Sequence, residues 1–197
     1  MRGREMRKII YFVILLSLLN GYGSNIQLKV KEISLGKLPS KQMSPIWVSP
    51  DNKKVAYIEE SRNKEFVIVN KKKGKKYDEI YGIVFSPDGK NVAYIAKERN
   101  KCKVVINGKE GKGYEWIIIP VFSADSKRFA YIVEKGRKEF VVVDGKEGKE
   151  YDGVKNLKFS PDSKHTGYVA KLNGKEFIVV DGKEGKKYDW VSCFQSR

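Results

Sequence analysis

Short apolar runs alternate with polar, turn-forming segments from residue 46 to residue 192, and no helical period of apolar residues occurs after residue 25. This pattern favours an all-β chain. In a representative stretch, the runs 128–133 and 139–143 are apolar at odd and even positions alike, so both are predicted as central strands buried on two faces. The short run 121–123 is predicted as the first strand, and the more polar piece at about 149–154 as the edge strand.

Turn-forming residues separate these strands at two places. The segment Ser86-Pro87-Asp88-Gly89 is typical of a tight turn, because proline presets φ and the aspartate side chain can bond to its own backbone. Asp144-Gly145, directly after the run 139–143, is a strong hairpin signal. Each unit is therefore predicted to contain four antiparallel strands.

The same unit occurs four times in register. Three markers recur at 37-residue spacing. The serine of the turn is Ser49, Ser86, Ser123 and Ser160, and a tyrosine in the second strand is Tyr57, Tyr94, Tyr131 and Tyr168. A tyrosine followed by an acid is Tyr77, Tyr114, Tyr151 and Tyr188. Four short strands in about forty residues, repeated without insertion, indicate the blade of a β-propeller. An immunoglobulin-like sandwich would not repeat its own sequence. We therefore predict four blades, at about residues 46–82, 83–119, 120–156 and 157–193, in a small closed ring or an incomplete one.

The repeated turn also resembles a known family. Ser-Pro-Asp-Gly-Lys followed by Val-Ala-Tyr is similar to the WD-like propeller repeats of the TolB C-terminal domain type, and the resemblance covers residues 46–192. Members of that family are mostly exported or periplasmic interaction modules, or propeller domains attached to hydrolases. The resemblance thus implies the propeller fold, whereas propellers as a class host many functions.

The first 23 residues have the pattern of a signal peptide. Arg2, Arg4, Arg7 and Lys8 form a basic start, residues 9–19 are an apolar core, and Gly21-Tyr22-Gly23 places small residues at the cleavage site. We predict cleavage after residue 23 and a periplasmic or secreted protein; the alternative is an uncleaved N-terminal membrane anchor. Residues 24–45 then form an N-terminal segment, for which a ring-closing strand is one interpretation.

The formal net charge is +16 at pH 7, and many lysines recur at one place in the repeat. Because equivalent positions of successive blades lie on the same side of a propeller, these lysines are predicted to form one basic rim. They are Lys72, Lys73, Lys75, Lys76, Lys109, Lys112, Lys146, Lys149, Lys183, Lys186 and Lys187. Such a rim is either a solvated surface that protects the blade edges or the footprint of an anionic partner, such as an acidic protein, a glycan or lipid head groups. Nucleic acid is not predicted, since it does not fit the export signal.

Catalytic and metal-binding patterns are weak in this sequence. His165, the only histidine, occupies an exposed strand start where no partner for a general base is expected. There is no Gly-x-Ser-x-Gly motif, and the stretch Asp144–Gly148 lacks the alternating oxygen ligands of a calcium loop. We therefore predict no catalytic residue, no cofactor and no metal site.

Cys102 and Cys193 are the only cysteines. They fall in the second repeat and beyond the fourth, so an intrachain disulfide is disfavoured by distance. An intermolecular disulfide or two free thiols are the remaining interpretations.

The Tyr-acid markers suggest a different surface. Four acids follow the tyrosines at symmetry-related positions, and tryptophans occupy the next position in alternate repeats; the residues are Asp78, Glu115, Asp152, Asp189, Trp116 and Trp190. One interpretation is structural: the tyrosines pack between blades, and the acids accept backbone hydrogen bonds or pair with lysines. The other is a binding face anchored by the two tryptophans, a residue type enriched at interface hot spots.

These patterns together predict a non-catalytic protein-interaction module. One alternative is a binder of anionic glycan or lipid through the basic rim, and another is an accessory or truncated propeller derived from a hydrolase-associated protein. Oligomerisation is expected if the ring is incomplete.

Overall fold

A computed structural model describes residues 45–192 of the chain, and these residues form sixteen β-strands and no helix. In chain order the strands are Trp47–Val48 (β1), Val55–Glu60 (β2), Glu65–Val69 (β3), Lys72–Lys73 (β4), Glu79–Phe85 (β5), Val92–Glu98 (β6), Lys101–Ile106 (β7), Lys109–Tyr114 (β8), Trp116–Phe122 (β9), Phe129–Lys135 (β10), Lys138–Val143 (β11), Lys146–Glu147 (β12), Gly153–Phe159 (β13), Thr166–Leu172 (β14), Lys175–Val180 (β15) and Lys183–Glu184 (β16). The predicted signal peptide, residues 24–44 and Cys193 lie outside the described residues.

The strands form four antiparallel sheets of four strands each, in the orders β1–β4, β5–β8, β9–β12 and β13–β16. We call these sheets blades 1 to 4. The two middle strands of each blade are the apolar runs of the repeat; in blade 3, for example, Val133 lies opposite Phe140 and Tyr131 opposite Val142. The predicted all-β propeller architecture with four strands per blade is confirmed. The four sheets are not closed into a ring within the described residues.

The first strand of blades 2, 3 and 4 is longer than the predicted run. In blade 3 it spans the seven residues Trp116–Phe122, whereas the prediction assigned residues 121–123. A register shift interrupts the pairing of this strand in blades 2, 3 and 4, as between Tyr81 and Val84 in blade 2, where Gly82 has φ +57°. Because such a bulge moves later side chains to the other face, the alternation of apolar residues breaks inside the strand and hides its first half.

The predicted edge strand at about 149–154 was wrong in position. The outer strand of blade 3 is the two-residue piece Lys146–Glu147, and Val154 already belongs to the first strand of blade 4. Tyr151 still contacts the sheet, through a single antiparallel bridge to Glu139. Only in blade 2 do the two pieces join into one continuous outer strand, Lys109–Tyr114.

The turns have the predicted chemistry. Asp144 and Gly145 both have positive φ, +51° and +81°, which is the geometry of a type I′ hairpin turn. In the serine turn, the Ser86 hydroxyl donates to Asp88 Oδ1 at 2.6 Å and accepts from the Asn91 amide at 2.9 Å. Gly89 supplies the positive φ, +70°, that ends this turn. These turns fix where each central strand begins and ends.

Three apolar cores lie between consecutive blades. The core between blades 3 and 4 contains Val141 of blade 3, Phe177 and Val179 of blade 4, and Tyr151. The tyrosine of the Tyr-acid marker meets an aromatic ring edge-on in each core; Tyr151 and Phe177 have ring centroids 5.8 Å apart. We call the surface of a blade that contacts the following blade its trailing face, and the opposite one its leading face.

Candidate functional sites on the blade faces and grooves

The lysine and tyrosine that end one repeat converge on a glutamate of the next. Lys75 Nζ lies 2.7 Å from Glu110 Oε1, and the Tyr77 hydroxyl donates to the same oxygen at 3.0 Å. Lys112 and Tyr114 meet Glu147 in the same way, at 2.7 and 2.8 Å. At the third interface, Lys149 contacts Glu184 at 2.6 Å. At the first two interfaces, a carboxylate held between an ammonium and a phenol therefore connects successive blades. At the third, the buried Tyr151 hydroxyl has no hydrogen-bond partner among the described residues.

The protonation states of the glutamate and the tyrosine favour this hydrogen bond. The ammoniums of Lys75 and Lys103, with the Tyr77 hydroxyl, hold the pKa of Glu110 down to about 2. Burial, followed by the nearby glutamate, raises the pKa of Tyr77 and of Tyr114 well above the usual range, so both hydroxyls stay protonated and can donate. The phenol of each pair thus acts as a permanent hydrogen-bond donor to an ionised carboxylate.

The acids after the tyrosines make a second inter-blade contact. Asp78 accepts from the backbone amide of Arg99 at 2.5 Å, Glu115 from that of Gly136 at 2.6 Å and Asp152 from that of Asn173 at 2.8 Å. Each donor lies in the loop between the second and third strands of the following blade. Three of the four predicted acids therefore accept hydrogen bonds from the following blade.

Blade 4 carries the same residues, but no residue of the described range 45–192 covers its trailing face. Tyr188 is 49% exposed, whereas Tyr77, Tyr114 and Tyr151 are at most 7% exposed. The side chain of Asp189 is 92% exposed and contacts only Lys175 among the described residues, at 2.5 Å. We call this surface the open face of blade 4; it consists of Val180, Lys186, Tyr188, Asp189 and Trp190.

The two predicted tryptophans lie in different settings. Trp190, at 70% exposure, belongs to the open face, as does Val180, which is 44% exposed. Trp116 begins β9 between blades 2 and 3, where its ring packs against Tyr81 at a centroid distance of 5.3 Å. The structure does not bring the two tryptophans to one blade interface. Their role in binding stays a prediction.

The predicted basic rim is a mixed surface. Lys75, Lys112 and Lys149 are paired with glutamates of the next blade. Lys73, Lys76 and Lys187 lie over phenylalanine rings, and Lys186 lies 5.9 Å from the ring centroid of Tyr188. The remaining members are exposed on the outer strands: Lys72, Lys109, Lys146 and Lys183. Whether this surface binds an anionic partner stays a prediction.

Within residues 45–192, grooves open beside the serine turns between blades 1 and 2 and between blades 3 and 4. The groove between blades 1 and 2 has a volume of about 490 Å³, and the one between blades 3 and 4 about 410 Å³. Both are lined by the hairpin that leads to the outer strand of one blade and by the serine turn of the next. Neither groove could be predicted from the sequence, because the two walls of each come from different repeats.

His165 does have an acidic partner, contrary to the prediction. Its Nδ1 lies 2.6 Å from Asp181 Oδ2, and this contact lowers the pKa of the Asp181 carboxyl. Arg128 and Asp144 form the equivalent pair in blade 3, with Nε and Oδ2 2.9 Å apart. The pair therefore belongs to the repeat, where it fixes the hairpin to the start of the second strand.

Cys102 is a free thiol that is 1% exposed. Burial raises the pKa of this thiol. Because Cys102 lies in the core between blades 2 and 3, an intermolecular disulfide through it is disfavoured in the folded chain. Its position in the repeat is that of Glu65, Glu139 and Glu176, each of which accepts a backbone amide 15 residues further on.

Among residues 45–192, no helix could span a bilayer, and no cluster of three or more side chains could hold a metal ion.

Comparisons with known proteins show the fold and nothing further. No family model matches the chain, and no curated protein matches it. The β-propeller domain of the Trilobed protease from Pyrococcus furiosus, which has an open velcro topology, is 14% identical and aligns with a TM-score of 0.52 over 74% of this chain and 56% of that one. An acylaminoacyl peptidase in complex with Z-Gly-Gly-Phe-chloromethyl ketone is 13% identical, with a TM-score of 0.50 over 74% of this chain and 32% of that one.

TolB from Acinetobacter baumannii is 14% identical over 78% of this chain and 45% of that chain, with a TM-score of 0.48. The chain therefore spans between about a third and just over half of the length of these solved structures. The fold is that of a β-propeller.

Proposed function

We propose that this chain is an exported, non-catalytic propeller module that binds another protein through the open face of blade 4. One observation carries the proposal: the tyrosine that is 1%, 7% and 0% exposed at three blade interfaces is 49% exposed on the open face. Val180 and Trp190 of the open face are also exposed, at 44% and 70%. Exposed aromatic side chains next to charged ones are typical of protein interfaces.

The internal interfaces indicate the chemistry of the partner. At each of them, a lysine of the trailing face meets a glutamate on the outer strand of the next blade. Lys186 lies over Tyr188 as its counterparts lie over Tyr77, Tyr114 and Tyr151. The open face is therefore suited to a β-sheet surface that presents a carboxylate to Lys186 and Tyr188, and an apolar side chain to Trp190.

A second copy of the chain is a poorer match than a different protein. In blade 1, Lys73 occupies the position of Glu110, Glu147 and Glu184. Docked head to tail, blade 1 would therefore present an ammonium to Lys186 where the other interfaces have a carboxylate, and like charges at contact disfavour association. This mismatch favours an unlike partner that carries the missing acid.

Photo-crosslinking from position 188 tests the proposal. The full chain, with a photoreactive phenylalanine analogue in place of Tyr188, is expected to crosslink one envelope protein in cells. The same analogue in place of Arg137, in an exposed loop of blade 3, is the positional control. Adding Lys186→Glu should reduce the yield strongly, whereas Lys146→Glu, an equal charge change elsewhere, should not. Equal yields from positions 188 and 137, or crosslinks only between copies of the chain, would refute it.

Export is a separate part of the proposal and rests on residues 1–23. We expect the mature protein to begin at or within a few residues of Ser24, and intact-mass measurement of the protein from the envelope fraction checks this. An intact Met1 in the membrane fraction would instead support the N-terminal anchor.

A further inference from the structure

The two grooves between blades have the same construction but different charge patterns. Between blades 3 and 4, three cationic and three acidic side chains line the groove: Arg128, Lys146, Lys164, Asp144, Glu147 and Asp181. Between blades 1 and 2, the described lining contains four lysines, Lys54, Lys72, Lys73 and Lys90, and no aspartate or glutamate. One groove is thus electrically balanced, and the other has four positive charges.

The difference arises at three positions of the repeat. Asn70 replaces Asp144, Lys73 replaces Glu147 and Asn107 replaces Asp181. The asparagines keep the hydrogen bonds of the aspartates: Asn70 Oδ1 accepts the Val55 amide at 2.9 Å, as Asp144 Oδ1 accepts the Phe129 amide at 2.9 Å. The backbone at this position is therefore held in the same way, while the negative charge is absent.

The scaffold of the two grooves is also the same. Lys54 Nζ donates to the Lys90 carbonyl oxygen at 2.5 Å across the blade interface, and Arg128 Nη1 donates to the Lys164 carbonyl at 2.6 Å. These contacts fix the two walls of each groove. What differs between the grooves is mainly the charge that lines them.

Nearby acids only partly balance the four lysines. Lys73 Nζ lies 3.8 Å from Glu59 Oε2, and Lys90 Nζ lies 3.6 Å from Asp88 Oδ2, both at exposed positions. No ion pair of Lys72 is seen within residues 45–192. Exposed pairs at these distances are weak, so an anion that reaches several ammoniums at once can compete with them.

We propose that the groove between blades 1 and 2 binds a multiply charged phosphate-bearing anion. Lysine binds phosphate through its point charge and three donors. A volume of about 490 Å³ is within the range of pockets that hold small molecules. The site is separate from the open face of blade 4, so either proposal can fail without the other.

Calorimetric titration of the full chain with inorganic tripolyphosphate tests the site. We expect one binding site whose affinity falls as ionic strength rises. The triple variant N70D/K73E/N107D gives this groove the charges of its counterpart, and we expect binding to weaken by about tenfold or more. Its melting temperature shows whether it folds. If it does not, Lys72→Glu, at an exposed position, replaces it and should also weaken binding.

A reciprocal variant tests whether removing acids creates an anion site in the other groove. D144N/D181N removes two acids from the groove between blades 3 and 4 and keeps residues already accommodated at the same positions of the other groove. We expect it to add a second, weaker tripolyphosphate site while the first is retained. If the reciprocal variant binds only one equivalent, charge at these positions does not determine binding and the proposal fails.

Vesicles distinguish a free phosphate from a lipid head group. Phosphatidylcholine vesicles with and without phosphatidylglycerol are compared by flotation for the parent chain and the triple variant. Retention only on phosphatidylglycerol, lost in the variant, supports the groove and assigns a lipid source; tripolyphosphate binding without vesicle binding assigns a soluble one. Binding that the triple variant leaves unchanged, or no binding of either probe by the parent, overturns the proposal.

Discussion

The interface between blades 3 and 4 and the open face of blade 4 contain the same residues in different surroundings. Tyr151 is fully buried against Phe177 at the interface, whereas its counterpart Tyr188 is 49% exposed. Lys149 contacts Glu184, whereas Lys186 contacts only the Tyr188 ring among the described residues. The same set of side chains therefore stabilises the fold where a following blade covers it, and is left exposed where no described blade does.

Removing an aromatic ring should give the largest difference in stability between the two surfaces. Phe177 is completely buried between blades 3 and 4, and Phe177→Ala should lower the free energy of unfolding by about 3–5 kcal/mol, through lost burial and a cavity. Trp190→Ala, on the open face, should change it by no more than about 0.5 kcal/mol. Urea denaturation measures both, and similar losses for the two variants would contradict the assigned faces.

Removing a single tyrosine hydroxyl should also lower the free energy of unfolding more at a buried interface than on the open face, but by less than removing a whole ring. Tyr114→Phe deletes the hydrogen bond to Glu147 and should cost about 0.5–1.5 kcal/mol. Tyr188→Phe, for which no glutamate is present among the described residues, should leave the stability nearly unchanged. The two melting curves, measured against the parent, provide the test; a larger loss for Tyr188→Phe would reverse the roles given to the interfaces.

Acid should weaken the internal interfaces gradually, through protonation of the Glu110 carboxylate. The folded state lowers the pKa of Glu110 from 4.5 to about 2, so the ionised carboxylate is favoured by folding. Its contribution to stability is complete above the unfolded pKa and is lost as pH falls from about 4.5 towards 2. Glu110→Gln should therefore flatten the pH dependence of the melting temperature in this range. An identical acid dependence in parent and variant would show that this contact adds nothing.

The sequence was sufficient to predict the repeat and its central strands. Residues 128–133 and 139–143 are apolar on both faces because each central strand is covered by two neighbouring blades, and they appear as β10 and β11. The hairpin at Asp144-Gly145 also formed as predicted, since few residues adopt two successive positive φ angles. Local patterns were enough where the determining forces were local.

The first strand and the contacts between blades could not be predicted from the same patterns. The bulge near Gly82 interrupts the alternation that identifies a strand. The carboxylate of Glu110 finds its partners 33 and 35 residues away, in the preceding repeat. The open face can be recognised only once the direction of blade packing is known, because its residues are of the same types as those at the buried interfaces. These features depend on the relative placement of repeats.

Because each inter-blade contact connects only consecutive blades, stability is distributed unevenly along the described region. The lysine, tyrosine and acid contacts described above each connect a blade to the next one along the chain, over 21 to 35 residues. A row of units coupled only to their neighbours behaves as a one-dimensional lattice, in which a terminal unit has half the couplings of an internal one. Blades 2 and 3 are thus the cooperative centre of the described region, and blade 4 can loosen at its open face while the cores between blades 1, 2 and 3 stay intact.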